Sequence, residues 1–318
     1  MVKKCLYILL ITAPAALSMP CSAHPFKGAK DSVYTLLQHY EDTLNILQYK
    51  KIKPRSSDKY KQQANVKFLA LIKKALALPG SFDYPFDSLK TITHLTSPDK
   101  KFRIYNWDVP QYNGTITYYG FIQTYNPQKK SYSLFLLHDK AAEISRPEYY
   151  TGTPAKWLGM LYYKIVPEMK APNTYILLAW QGYSNLVSHK IIDVLSFTPQ
   201  GTPVFGKSIF RRPPPGCRSS FKRIIFQYSA KVFMSLDYNS SQKMILFDHH
   251  GPPDPSLTGE YQYYGPSLQV DALAYKNNRW IYEANVDARN PRSSMDKYYH
   301  NEKDNFKQRK KPIYTPLR

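Results

Sequence analysis

Val33, Leu36, Leu37, Tyr40, Leu44 and Leu47 recur at steps of three and four, the spacing of one face of an α-helix. Asp31 or Ser32 is placed to cap its start. A polar break at 50–57 contains Pro54, which cannot continue a helix. A second stripe follows, Tyr60, Ala64, Phe68, Leu71, Ile72, Ala75 and Leu78, and Pro79-Gly80 ends it. Residues 24–80 therefore read as a helical segment, a hairpin whose two apolar stripes bury against each other and the rest.

From about residue 82 the period changes to short β runs between turn residues. Residues 102–109 lead through Gln111-Tyr112-Asn113-Gly114 into 115–125, and Asn126-Pro127-Gln128-Lys129 turns into 131–138. Residues 232–238 turn through Asn239-Ser240-Ser241-Gln242 into 243–248, and 268–275 turn at Asn277-Asn278 into 279–284. Asn-Gly tolerates positive φ at both central positions of a tight turn. Connections this short exclude parallel crossovers, so the sheet should be mainly antiparallel. Val232, Met234, Leu236 and Tyr238 alternate with polar neighbours, the mark of one buried face, whereas 134–137, 175–180, 224–226 and 244–247 are apolar on both sides. Strands covered on two sides require layers. The expected fold is α+β, mainly β: a helical hairpin followed by a layered antiparallel β domain over 81–290. The alternative, a partial propeller-like meander, lacks a repeated signature at a fixed period.

The two ends differ from this pattern. Lys3 and Lys4, the apolar stretch 6–16 and the small residues before Ala23 read as a signal peptide over 1–23. That stretch is too short to span a bilayer, so no transmembrane helix is expected in the mature chain. Met19 and Pro20 fit a lipoprotein signal poorly, and cleavage after Ala23 rather than lipidation at Cys21 is the expectation; Cys217 then stands alone and no internal disulfide forms. Residues 291–318 are rich in charge and poor in aliphatics, and read as a basic, poorly ordered tail. Sequons at Asn113 and Asn239 fall in turns, where turn chemistry explains them.

Charge narrows the partners. The chain carries 44 Lys and Arg against 23 Asp and Glu, a net charge of +21; losing residues 1–23 deletes Lys3 and Lys4 and no acid, leaving +19. The bases cluster at Lys50, Lys51, Lys53 and Arg55, at Arg211 and Arg212, at Arg218 to Arg223, and in the tail. Such a surface suits an anionic partner, an envelope glycolipid or polysaccharide; nucleic acid fits the charge but not the export.

The segments Lys101-Phe102-Arg103-Ile104-Tyr105-Asn106-Trp107-Asp108, Thr174-Tyr175-Ile176-Leu177-Leu178-Ala179-Trp180, Lys190-Ile191-Ile192-Asp193-Val194-Leu195, Gly201-Thr202-Pro203-Val204-Phe205-Gly206 and Val286-Asp287-Ala288-Arg289-Asn290 span most of the mature chain. In them the protein resembles a family of exported proteins of Bacteroidota-like bacteria that carries no assigned function. The resemblance implies a periplasmic, envelope-associated or secreted location, and transfers no activity and no site.

Candidate chemistry is sparse. Asp248, His249, His250 and Asp254 are metal-ligand types at a strand end, but adjacent ligands on a strand point to opposite faces. The Asp-His-His triplet also marks a phosphoesterase family, which needs further Asp and His motifs on a parallel sheet; none precedes residue 248. No metal and no cofactor are expected. Trp107 beside Asp108 suits sugar stacking and hydroxyl binding, against core packing as the bland alternative. Asp108, Asp139, Glu143 and Asp193 form a pool of carboxylates for a secreted glycan hydrolase, His138-Asp139 is an acid–base pair by type, and Cys217 sits between Arg212 and Arg218 as a surface thiol. The leading expectation is a non-enzymatic binding or structural module that meets an anionic surface or glycan, with Trp107, Asp108, Arg211, Arg212 and Arg218 as binding residues. The alternative is the hydrolase.

Overall fold

In the computed structural model, residues 27–126, 131–167 and 171–288 are described. The expectations for 1–23, for Pro127-Gln128-Lys129 of the turn after Asn126 and for the tail at 291–318 lie outside them.

The first helix, α1 (Lys27–Leu47), continues through a π-helical turn, Gln48–Ile52. Asp31 and Ser32 thus lie within the helix rather than at its start, and the break is shorter than its composition suggested, because Ile52 is buried and holds the turn down. The second helix, α2 (Asp58–Ala77), starts where the Ser57 hydroxyl accepts the Tyr60 amide. Leu37, Leu44, Phe68, Ile72 and Ala75 are buried as the stripes predict, while Leu36 and Tyr60 stay exposed.

Three sheets follow. The first is a meander of β1 (Thr93–Thr96), β2 (Phe102–Pro110), β3 (Ile116–Asn126) and β4 (Ser131–His138). The second is built from β5 (Leu161–Pro167), β6 (Thr174–Gly182), β7 (Val187–Phe197) and β8 (Pro203–Phe205). The chain then leaves through β9 (Phe210–Arg212) and returns to the second sheet with β10 (Arg218–Ser219) and β11 (Ile224–Ser229). The third sheet orders β12 (Leu236–Asn239), β13 (Met244–Gly251), β14 (Gly265–Lys276), β15 (Arg279–Glu283) and, at its edge, β9. Strand pairing is antiparallel throughout the described strands except β9 on β15, which is parallel because β9 arrives from the second sheet rather than through a hairpin.

Alternation along the strands explains the stacking. Tyr105, Trp107, Val109 and Phe121 face the helices, and Phe102, Ile104, Tyr118 and Ile122 face the second sheet. There they meet Tyr175, Leu177, Ala179, Ile191 and Ile225, while Ile176, Leu178, Ile192, Val194 and Phe226 turn to the third sheet and pack on Leu236, Ile245, Phe247, Leu273 and Trp280. The result is four layers, helices and three face-to-face sheets, and not radially placed blades. The third sheet is the outermost, so Met244 and Leu246 are only half-buried and 244–247 is not covered on both sides as its composition implied.

The turns correct two details. At 111–114 only Gly114 takes positive φ; Asn113 instead accepts the Thr115 amide and hydroxyl, so the Asn-Gly pair closes a longer loop. Asn277 and Asn278 are the pair with positive φ at both positions, joining Lys276 to Arg279 in a two-residue turn. Strand β12 begins at Leu236, not 232, and Val232 and Phe233 lie exposed before it.

Candidate functional site

At one end of the interface between the first two sheets the apolar packing stops and a cleft of about 860 Å³ opens. Gln181, His189 and Gln227 stand opposite one another on β6, β7 and β11, on the face turned to the first sheet. They continue the apolar rows Ala179, Ile191 and Ile225 with polar side chains. Tyr118 and Asp139 from the first sheet, Tyr183 from the β6–β7 turn, and Arg218 from β10 complete the walls.

The polar groups are positioned by the fold. The Gln181 side-chain amide donates to the carbonyls of Leu158 (3.1 Å) and Gly159 (2.6 Å), which orients its Oε1 toward His189 Nδ1 at 2.9 Å. Since Oε1 only accepts, this network assigns the imidazole proton to Nδ1. Nε2 is then an acceptor; it is buried and makes no hydrogen bond of normal geometry, and the Gln227 side chain is the hydrogen-bonding group nearest the ring across the strand pair. Burial, with Arg218 adding a like-charge push and Gln227 opposing, drives the His189 pKa down to about 3, so the ring is neutral. Tyr183 lies over that ring, centroids 4.5 Å apart and planes 22° apart, with its outer face exposed.

Asp139 accepts the amides of Tyr118 (3.0 Å) and Ala141 (3.1 Å), one on each oxygen. Burial raises its pKa against these two bonds, which hold it down. Gly159 takes φ +63° beside it, and a Cβ there would come within 2.3 Å of the carboxylate, so this floor requires glycine. The Tyr118 hydroxyl accepts the Gly182 amide at 2.7 Å, keeping its own proton to donate. Arg218 is braced against Ser145 O and Glu148 and anchors the loop that forms the outer wall.

The residues singled out by type are scattered. Trp107 is fully buried under α2 and donates to Asn65 at 2.8 Å, which overturns it as a sugar platform; the bland alternative, core packing, holds because its strand is covered by helices. Asp108 accepts Lys53 Nζ at 2.6 Å, an ion pair between the π turn's exit and the first sheet. Arg211 and Arg212 are exposed on β9 at the edge of the third sheet, apart from Arg218 on the second. The Arg218 to Arg223 cluster is partly consumed internally: Arg223 is buried with Asp193, its Nε and Nη2 each 2.8 Å from Oδ1. Cys217 is half-buried rather than fully exposed: its thiol donates to Pro214 O at 3.3 Å, and burial pushes its pKa up to about 12.

Nor do Asp248, His249, His250 and Asp254 converge. Asp248 accepts the Ser235 amide, His249 Nδ1 pairs with Asp271 at 2.7 Å, and Asp254 caps the turn at Ser256. His250 is buried between the Phe226 and Tyr264 rings, with its pKa lowered to about 4 by that burial. No group of three or more metal-ligand side chains forms among the described residues.

Of the expected residues, Arg218, Asp139 and Glu143 line the cleft; His138, though next to Asp139, is not part of it. Sequence reasoning missed Gln181, His189, Tyr118 and Tyr183. A signal existed for Gln181, a polar residue near the end of the otherwise apolar stretch 175–180, where a buried row should have continued. The chain matches no protein-family profile, no curated protein and no solved structure.

Proposed function

We propose that this is an exported, non-enzymatic binding protein that takes a glycan in the cleft between its first two sheets. The observation that carries the reading is an exposed tyrosine face set beside hydrogen-bonding side chains that line one cleft. Tyr183 offers a flat ring over the His189 imidazole, and the Tyr118 hydroxyl in the same wall keeps its proton to donate. A sugar has both an apolar face to stack and hydroxyls that donate and accept at once. Arg218 and the high positive charge favour acidic glycans of an envelope.

The hydrolase reading is weaker because each carboxylate of its pool is engaged: Asp108 by Lys53, Asp193 by Arg223, Glu143 by Lys140, and Asp139 by two backbone amides. Titration calorimetry against polygalacturonate, hyaluronan and dextran tests the proposal. Binding to the acidic chains, weakening from low to physiological salt and lost in Tyr183→Ala, is the expected result. Release of reducing ends from any of them would move the assignment to the hydrolase; no binding even at low salt would end it.

A further inference from the structure

Three hairpin and loop tips meet at the cleft's end of the molecule. Asn185 Nδ2 donates to Asn113 O, joining the β6–β7 turn to the β2–β3 turn, and the Ala230 amide donates to Leu186 O, joining it to the loop after β11. Along the resulting ridge the side chains are large, apolar and outward: Tyr112 is 76 % exposed, Leu186 53 %, Val232 40 % and Phe233 75 %. The three tips, 112–115, 183–187 and 230–233, carry no carboxylate and one charged residue, Lys231. Lys190 lies directly behind, its ammonium 5.4 Å from the Phe233 ring. Leucine, valine and phenylalanine at turn tips are normally replaced by polar residues, since nothing in the chain covers them there.

We propose that this ridge is a docking surface for an anionic lipid bilayer, with Leu186, Val232 and Phe233 entering the headgroup boundary. Shape and charge select this occupant. The apolar groups sit on protruding tips rather than on a flat patch or in a groove, so they can sink between headgroups one by one. Lys231 on the ridge and Lys190 behind it, in a chain with an overall excess of base, complement anionic headgroups; the nearby Asp58 carboxylate is engaged by the Tyr112 amide. Among the described residues no helix is long and apolar enough to cross a membrane, so attachment through this ridge is peripheral. Docking in this way sets the mouth of the cleft beside the bilayer surface.

The test is co-sedimentation of the full-length chain with phosphatidylcholine vesicles, with and without phosphatidylglycerol. The wild type is expected to bind the anionic vesicles preferentially. The double variant Leu186→Ser/Phe233→Ser should bind about tenfold more weakly, with an unchanged unfolding midpoint because both residues are exposed. Neither residue lines the cleft, so glycan binding should survive the substitution, and failure of one proposal leaves the other standing. A second variant, Phe233→Trp, should shift its emission to the blue on anionic vesicles and not on soluble polygalacturonate. Absence of vesicle binding by the wild type, undiminished binding by the double variant, or a blue shift on the polysaccharide alone would each overturn the proposal. So would loss of self-association in place of vesicle binding, which would make a second copy of the chain the occupant.

Discussion

Two polar regions share the interface between the first and second sheets, and they differ in how their hydrogen bonds are spent. In the middle, Asp193 and Arg223 are wholly excluded from water, and the protein itself supplies most of their partners: the Tyr162 hydroxyl and Val194 amide for the carboxylate, the Pro147 and Tyr150 carbonyls for the guanidinium, whose Nη2 meets the carboxylate as an ion pair without a hydrogen bond of normal geometry. At the end, Gln181 and Asp139 are oriented as firmly, yet the His189 ring beside them lines a cavity and its Nε2 makes no hydrogen bond of normal geometry. A buried charge whose bonds close on the protein is architecture. A buried polar atom held beside a cavity without a well-formed bond is where a ligand adds more than it displaces.

That contrast breaks first at the Asp193 pair. Arg223→Met should destabilise the fold by about 3–5 kcal/mol, because it strands a carboxylate in the core; urea unfolding measures it, and a loss under about 1 kcal/mol would mean water reaches the site. Next comes Gly159→Ala, expected to cost about 1–3 kcal/mol through positive φ and the clash with Asp139. It should also abolish glycan binding, since the cleft floor must shift; intact affinity would separate Asp139 from the site.

The histidines give a pH test of similar sign in both regions of the β stack. His189 and His250 have folded pKa values of about 3 and about 4, below the usual histidine value of 6.5. The unfolded chain therefore binds more protons, so stability is complete above pH 6.5 and falls as pH drops from there toward the folded values. The slope approaches about 1.4 kcal/mol per pH unit for each histidine. Urea midpoints at pH 7.5 and 5.5 should differ in the wild type, differ less in each of His189→Gln and His250→Phe, and converge further in the double variant; an unchanged slope in both single variants would show that these rings titrate normally. The smallest stability effect belongs to Tyr183→Ala, within about 0.5 kcal/mol because its outer face is already exposed. Its whole consequence should fall on ligand affinity, which sharpens the distinction between site and scaffold.

How much of this was legible before the fold was known varies by element. The helical stripes, the β2–β3 and β14–β15 hairpins and the doubly covered strands follow from periodicity, because a side chain's direction is set locally by backbone geometry. The parallel contact of β9, the early end of β12 and the type of the 111–114 turn did not, since each is decided by a neighbour distant in sequence. The same divide separates the candidate residues. Trp107 and Asp108 drew attention as a Trp–Asp pair suited to sugar, but α2 and Lys53 cover them. Gln181 and His189 drew none, although Gln181 follows an apolar stretch.

The amino-acid order determined which residues point together along each strand and helix, and that the strands needed cover on two sides. Only the stacking of the layers decided which polar groups found partners. Satisfaction of a buried atom depends on what lies across the interface: Arg223 reaches Asp193 and two carbonyls 76 and 73 residues upstream, whereas His189 Nε2 makes no hydrogen bond of normal geometry. Hydrogen bonds close over distances of ångströms, so a linear chain cannot show which ones will be left open.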